Sequence, residues 1–271
     1  MKSKSISKSK PKRKKMNDTP IAIGDKVLVI PPLGFQNTGA ICYFNSLIQC
    51  LISSKHFLKT MLSDKYPLFK DFLINITNDR WDMTFTTSLL RQHNIIQANQ
   101  SSSEYFLLLI DLLNLENLFE CQHRIITTCN NCKQTKESTD ISYNVLIDTN
   151  IEEFFVSNEQ VDQVNCDFCH VKSNMERKKV IQKMPPIIGI SLNKYFGKKQ
   201  ILYPIAIKSP HFEYRLIGTI EHMGVLGAGH YTSRFMRNGE YHVADDANTR
   251  KISELNPVPE TYMIFYELIS K

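Results

Sequence analysis

Residues 33–51 read LGFQNTGAICYFNSLIQCL, a glycine-punctuated polar turn that runs through one cysteine, Cys42, into an apolar segment. Tyr43, Phe44, Leu47, Ile48, Leu51 and Ile52 recur at three- and four-residue spacing, the period of one buried helix face. Cys42 therefore falls in the first turn of a helix. Unpaired backbone N–H groups and the positive end of the helix dipole gather there and favour a thiolate over a thiol. The stretch alone leaves two readings open. Cys42 is an activated nucleophile, or it is a buried structural cysteine, the commoner fate of a single cysteine.

The chain of 271 residues is long enough for one large domain or two small ones, with ample apolar content for a core. No apolar run approaches a membrane span, and the lysine-rich start has no apolar stretch behind it. Neither a transmembrane helix nor a secretory signal is expected. Seven cysteines, four of them in two CxxC pairs, suit a reducing compartment and metal or catalytic duty rather than a disulfide framework. The expected location is intracellular, in the cytoplasm, the nucleus or both. The formal charge of +6 is local: residues 1–15 carry eight Lys/Arg and no acid, and without them 25 basic residues face 27 acidic ones. Such a tail is expected to be disordered. Its PKRKK run is open to three readings, a nuclear localisation signal, a weak nucleic-acid contact or a solvated extension. The rest of the chain lacks the basic footprint of a nucleic-acid binder.

Residues 21–33 read as a lead-in broken by Pro31 and Pro32, and residues 42–120 mostly as helix. In SSSEYFLLLIDLLNLENLF (residues 101–119), Ser101 and Glu104 have capping-box spacing ahead of a strongly apolar helix. Beyond Cys121 the period changes. Ile141, Tyr143, Val145 and Ile147 alternate with polar residues as in a half-buried strand. IIGISL, ILYPIAI, YRLIGTI, GHYTSRF, EYHVA and TYMIFYEL follow as further β-type runs. Helices first and strands afterwards make an α+β arrangement.

Two constellations carry chemistry. Cys129-Asn-Asn-Cys132 and Cys166-Asp-Phe-Cys169 are CxxC knuckles, each able to place two thiolates on one tetrahedral Zn²⁺. The 33 residues between them leave room for a β-hairpin that brings the two together. A four-cysteine site is closed, hence structural; a vestigial site and a redox dithiol are the competing readings. His170, beside Cys169, reads as a bystander. The second constellation is EHMGVLGAGHYTSRFMRNGEYHVADDANT, residues 221–249. Asn238-Gly239 signals a two-residue hairpin turn. That turn sets Asp245 opposite Thr232, with His230 on the same face one diagonal away, roughly 7–8 Å at the backbone. A histidine oriented by a carboxylate is half of a Cys–His–Asp triad. Strand neighbours alternate faces, so Asp246 is expected to oppose Tyr231 and point away. His222 competes for the role of base but would have to cross the loop of Gly224, Gly227 and Gly229. A surface hairpin with unrelated polar residues is the plain alternative.

Taken together, these residues resemble the ubiquitin-specific proteases. Asn37-Thr-Gly39-Ala-Ile-Cys42-Tyr43-Phe-Asn45-Ser46 with Gln49 is similar to the family's cysteine box, and Gly229-His230-Tyr231 with Asp245-Asp246 to its histidine box. Gln100-Ser-Ser-Ser-Glu104-Tyr-Phe resembles its glutamine-rich helix start, IQKMPPIIGISLNKYF its proline-then-strand segment, and TYMIFYEL its final strand. The likeness spans about residues 33–267 in the family's order. Departures occur at Ala40, Ile41, Ser101 (usually aspartate), Ala244 (usually aromatic) and Lys194-Tyr195, and the segment between the knuckles is short. None removes a catalytic group.

The resemblance implies a papain-like cysteine protease fold. A catalytic domain over residues 31–271 would follow a tail and lead-in over 1–30. Its parts would be a helical thumb (about 34–120), zinc-ribbon fingers (about 121–184) and a β-rich palm (about 185–271). The implied activity is that of a deubiquitinating thiol protease, cleaving the isopeptide or peptide bond after ubiquitin's C-terminal glycine. Cys42 would attack, His230 would serve as base and then acid, and Asp245 would hold the imidazole. Asn37 and the Cys42 backbone N–H would stabilise the oxyanion, with Asp246 assisting there. A structural, non-catalytic Zn²⁺ on Cys129, Cys132, Cys166 and Cys169 is the implied cofactor. The implied partner is ubiquitin or a ubiquitinated protein, engaged by a monomer with no membrane contact and no nucleic acid beyond the basic tail. A catalytically silent ubiquitin-binding scaffold of the same fold is the alternative, although such a relative would more often have lost a catalytic side chain. A zinc-ribbon nucleic-acid module would explain the knuckles and the tail and leave Cys42, His230 and Asp245 without a role. Cys50, Cys121 and His123 read as structural, and Trp81 as core or a partner contact.

Overall fold

The computed structural model describes residues 21–23, 26–78, 80, 83–92, 101–148, 150–193, 201–225 and 228–270. The basic run of residues 1–15, Trp81, Gln100 and the Lys194-Tyr195 pair lie outside them. The lead-in contains a small hairpin, β1 (Ile21–Ile23) and β2 (Lys26–Leu28). Helices follow: α1 (Cys42–Leu51), α2 (Lys55–Met61), α3 (Pro67–Thr77), α4 (Met83–Gln92), α5 (Ser102–Leu113) and α6 (Glu116–Phe119). Strands come next: β3 (Cys121–Cys129), β4 (Thr135–Ser142), β5 (Val145–Ile147), β6 (Val156–Asn165), β7 (Lys172–Lys183) and β8 (Ile187–Leu192). The chain ends in β9 (Ala206–Ser209), β10 (Phe212–Val225), β11 (Ala228–Arg237), β12 (Glu240–Asp245), β13 (Asn248–Ile252) and β14 (Thr261–Ser270).

Helix α1 is buried along its whole length, not on one face alone. Its apolar residues Phe44, Leu47, Ile48 and Leu51 share a core with Tyr105 and Phe106 of α5 and with Ile220, Met263 and Phe265 of the sheet. Tyr43 and Phe44 meet the Tyr105 ring edge-on at 5.5 and 5.6 Å. The polar residues of α1 are tolerated inside because they are bonded: Asn45 to Asp246, Ser46 to the Tyr43 carbonyl, and Gln49 to the Leu33 carbonyl. Helix α5 starts at Ser101, whose hydroxyl accepts from the Ser103 N–H and also meets the Tyr262 hydroxyl at 2.8 Å. The N-cap is thus closed locally at Ser103 and also tied to the last strand of the sheet.

The large sheet runs β13-β12-β11-β10-β14-β8-β5, with β9 beside β10. Both of its faces are covered. In β14, Met263 and Phe265 enter the core beneath the helices, while Ile264 and Tyr266 join a second cluster with Ile188, Ile190 and Leu216 on the other face. A strand buried on both faces carries no alternation, and TYMIFYEL shows none. Within ILYPIAI the ladder with β10 starts at Ala206, with the Ile205 carbonyl also accepting the Leu216 N–H at 2.8 Å; Pro204 offers no N–H, and Ile201 and Tyr203 are buried as loop.

The segment between the two CxxC pairs differs from the expected single hairpin. A four-stranded sheet runs β4-β3-β7-β6, and each knuckle is the turn of its own hairpin, β3/β4 and β6/β7. The run from Ile141 to Ile147 breaks in the middle. Asn144 exchanges two side-chain hydrogen bonds with Ser191, at 2.9 and 3.0 Å. The chain then crosses to pair β5 in parallel with β8, in the other sheet.

Gly189 of β8 lets the helical layer sit close. A Cβ there would lie 2.6 Å from the Phe106 ring, which is wedged edge-on between Phe119 and Phe265 and has no room to move. Gly189→Val is expected to cost about 1–3 kcal/mol of stability. The measurement is the urea midpoint, and an unchanged midpoint would contradict this packing.

Candidate active site and metal centre

Gly39 and Ala40 have φ of 142° and 47°, so the chain turns sharply before α1 begins at Cys42. Such a turn suits glycine at the first position. Cys42 is buried, and its sulfur receives the backbone N–H of Tyr231, the residue after His230. Helix α1 and strand β11 therefore meet at the sulfur itself. The electrostatics differ from the expectation of a favoured thiolate. Burial pushes the thiol above its ordinary 9.0, opposed by the Tyr231 N–H and reinforced by the nearby Asp246 carboxylate. Desolvation outweighs the helix start here.

The turn at Asn238-Gly239 has φ of 53° and 75°, both left-handed, and it pairs Arg237 with Glu240 and Ser233 with Ala244. This is the two-residue turn and the register expected from the sequence. His230 Nε2 lies 2.6 Å from Asp245 Oδ1. Both side chains are open to solvent, 39% and 58% exposed, so the contact orients the ring rather than stabilising the fold. His222 sits across the ladder from Tyr231, its ring 4.4 Å from the tyrosine ring. It lies in the neighbouring strand β10, between the Tyr231 and Tyr262 rings.

Asp246 is placed differently from the expectation. Strand β12 ends at Asp245, which pairs with Asn248, and Asp246 is the first residue of the connecting turn, with φ of 48°. The left-handed turn, not strand alternation, aims its carboxylate. That carboxylate accepts from Asn37 Nδ2 at 2.9 Å and from Asn45 Nδ2 at 2.8 Å. Asn37 Oδ1 in turn accepts the N–H groups of Gly39 and Ile41, at 3.0 and 3.2 Å. The network thus fixes which way the Asn37 amide points. One N–H of Nδ2 is held by Asp246 and the second is left for another acceptor. Phe35 N–H donates to the Asp246 carbonyl at 2.8 Å, and a Cβ on Gly34 would lie 2.2 Å from the Ala247 carbonyl oxygen. The bridging role of Asn45 is not among the features that local periodicity specifies. A polar residue inside an apolar helical run was the available signal.

The four knuckle sulfurs all lie within 4.8 Å of one another, and Cys132 and Cys166 are 3.7 Å apart. A tetrahedron with Zn–S bonds of about 2.3 Å has edges of about 3.8 Å, whereas a disulfide needs about 2.0 Å. All four thiols are free. The two loops repeat one geometry. Lys133 N–H returns to the Cys129 carbonyl and His170 N–H to the Cys166 carbonyl, each at 2.9 Å, and Lys133 and His170 have φ of 61° and 56°. His170 is therefore the turn residue of its knuckle, and the four-sulfur cluster does not include it. The Cys132 N–H pulls the Cys129 thiol down to about 6, and the Val171 N–H lowers that of Cys169. Cys132 instead stands at about 11: the Gln134 N–H pulls it down, but burial and the three neighbouring sulfurs outweigh it. Four thiolates this close need a cation, and a soft tetrahedral metal fits the donor set. A metal can be held by these four residues.

A buried cysteine at a helix start, its sulfur beside the strand whose histidine is held by a carboxylate, together with a four-cysteine ribbon, fits a papain-like fold. The profile of the family described as ubiquitin carboxyl-terminal hydrolase matches residues 110–266, more than half of the chain, which belongs to that family. Ubiquitin carboxyl-terminal hydrolase 5 of Schizosaccharomyces pombe is 25% identical over 85% of this chain and 26% of its own length. Ubiquitin carboxyl-terminal hydrolase 26 of Oryza sativa subsp. japonica is 24% identical over 84% of this chain and 26% of its own length. The chain thus spans about a quarter of these relatives. Among solved structures, the SAGA DUB module bound to monoubiquitin contains a chain with the same fold. Its TM-score is 0.77 at 17% identity, over 92% of this chain and 72% of that one. The SAGA Ubp8/Sgf11/Sus1/Sgf73 DUB module bound to ubiquitin aldehyde gives 0.74 at 18% identity, over 88% and 70%.

The raised Cys42 thiol makes a testable statement about the resting protein. Alkylation of Cys42 by iodoacetamide is expected to go on accelerating above pH 9, because the thiolate fraction is still growing there. A rate that levels off near neutral pH would show a preformed thiolate–imidazolium pair instead.

Proposed function

We propose that the chain is a deubiquitinating thiol protease that hydrolyses the isopeptide or peptide bond after the C-terminal glycine of ubiquitin by a Cys–His–Asp mechanism. The observation that carries this reading is the convergence at Cys42: the Tyr231 N–H reaches its sulfur, and His230, the residue before Tyr231, is held by Asp245 at 2.6 Å. With Nε2 committed to Asp245, Nδ1 is the nitrogen that takes the Cys42 proton. The resting thiol is deprotonated as it attacks, and the imidazolium, supported by Asp245, then protonates the departing amine. A water deprotonated by His230 completes the cycle by hydrolysing the thioester. Asn37 Nδ2 and the Cys42 backbone N–H stabilise the oxyanion, and Asp246 keeps the Asn37 amide aimed. The family and the ubiquitin-bound neighbours of the same fold support ubiquitin as the partner.

Zn²⁺ is the proposed occupant of Cys129, Cys132, Cys166 and Cys169. When bound it would neutralise four thiolates and tie the two knuckles together, with no open position for chemistry. Seven free thiols fit a reducing compartment, and an intracellular location, cytoplasmic or nuclear, is part of the proposal. Among the described residues, no helix is long and apolar enough to cross a membrane.

A ubiquitin probe with a C-terminal electrophile is expected to label the wild type and not Cys42→Ser. Asp245→Ala should lower turnover by about a hundredfold or more through lost control of the imidazole. Asp246→Ala should lose about 10²–10³ through the oxyanion amide. Labelling at Cys50 or Cys121 would overturn the assignment of Cys42, and a folded but unlabelled wild type would favour a silent ubiquitin-binding scaffold.

Elemental analysis of the purified protein is expected to give one zinc per chain. Folded protein with a metal content near zero would mean a vestigial site.

A further inference from the structure

Arg237 is the last residue of the strand that carries His230, and it is 4% exposed. Its guanidinium reaches the far end of the nucleophile helix. Nη1 donates to the Ile52 carbonyl at 3.0 Å, and Nη2 donates to the Gln49 carbonyl at 3.0 Å and to Gln49 Oε1 at 3.2 Å. These carbonyls belong to the C-terminal end of α1, where the last C=O groups have no partner inside the helix and carry its negative pole. The cross-strand partner Glu240 faces solvent and pairs with Lys251. The Cys50 thiol and the His242 ring are ionisable groups close enough to feel the Arg237 charge. Burial lowers the guanidinium to about 9, so it stays charged at neutral pH. The buried cation is therefore held by the end of a helix and by the face of Phe235, whose ring centroid lies 4.9 Å from the guanidinium carbon.

The connections continue beyond the helix. Gln49, gripped by Arg237 through its side-chain oxygen, donates its Nε2 to the Leu33 carbonyl at 2.6 Å. Leu33 opens the loop that packs Gly34 on Ala247 and carries Asn37 to Asp246. Strand β11 thus holds α1 at two points, through the Tyr231 N–H at Cys42 and through Arg237 at Gln49 and Ile52. The second point also fixes the start of the loop that carries the oxyanion amide.

We infer that Arg237 is a positioning residue for the reaction, setting the placement of Cys42 and Asn37 against His230 by clamping the C-terminal end of α1. This rests on the Cys–His–Asp reading above. A two-pronged fork is needed for it: the two carbonyls are gripped by different guanidinium nitrogens, a geometry that a lysine ammonium does not reproduce. A displacement of about 1 Å at the reacting atoms is enough to cost up to about a hundredfold.

The test compares wild type, Arg237→Lys, Gln49→Met and the double variant, each first shown to be folded by circular dichroism. Arg237→Lys is expected to slow iodoacetamide alkylation of Cys42 at pH 8 by about tenfold, as loss of the Tyr231 contact moves the alkylation profile to higher pH. On a fluorogenic ubiquitin substrate, kcat per active site, counted by titration with the electrophilic ubiquitin probe, should fall by a similar factor with KM unchanged, and that normalisation removes any general loss of folded protein. The double variant should lose less than the product of the two single losses, because both act through Gln49. Wild-type alkylation and kcat in folded Arg237→Lys would overturn the inference, and so would fully multiplicative losses. Should Arg237→Lys not fold, Gln49→Met decides, and unchanged Cys42 alkylation there overturns it. The alkylation comparison needs no turnover, so an inactive wild type would sink the deubiquitinase reading separately.

Discussion

The site depends on burying a helix whose two ends must stay in contact with one strand. Helix α1 has no solvent-facing side, so its polar residues can be inside only if other elements bond them. Asn45 is held by Asp246, Gln49 by Leu33 and Arg237, and the closing carbonyls by Arg237. Each of these bonds crosses from the helical layer to the sheet or to the entry loop. Packing brings the layers together, and the polar bonds decide the angle and depth at which they stop.

The two adjacent aspartates divide the work because the backbone changes between them. Asp245 is the last residue of β12 and stays exposed beside His230, where water screens its charge and its value lies in orientation. Asp246 has entered the turn, and its carboxylate faces inward to two amides. The same inward charge disfavours a thiolate at Cys42. In the proposed mechanism, the carboxylate that steadies the Asn37 amide thus adds to burial in keeping the Cys42 thiol protonated, leaving deprotonation to His230 at the moment of attack.

The four-stranded sheet answers a different constraint. Strand β4 is exposed over most of its length, and the cluster at the knuckles amounts to the four cysteines with Met175 and Val161. So little apolar surface cannot hold the hairpin tips, and small units of this kind rely on a metal or a covalent staple. Ion pairs along the sheet, such as Lys136 with Asp167 and Arg177 with Glu159, lie in solvent and add little. The knuckle turns supply the missing order by pointing backbone N–H groups at sulfur, as Phe168 does to Cys166 at 3.4 Å.

Much of this was legible in local chemistry. The period of residues 43–52 specified a helix starting at Cys42, Asn238-Gly239 specified a left-handed two-residue turn, and that turn alone set Asp245 on the side of His230. The two CxxC spacings specified paired sulfur donors. These features depend on a few neighbouring residues, so the sequence by itself determined them. Tertiary contacts decided the rest. Asp246 turns inward because two amides from α1 and its loop await it, and β4 and β5 part company because Asn144 finds Ser191. The Cys42 thiol is raised because packing removes water from a helix start that would otherwise favour its anion. Arg237 reads in sequence as an ordinary basic residue before a turn, and only the arrival of the end of α1 makes it a buried clamp. Burial and long-range hydrogen bonds join residues up to about two hundred positions apart, and no local pattern encodes which of them will meet.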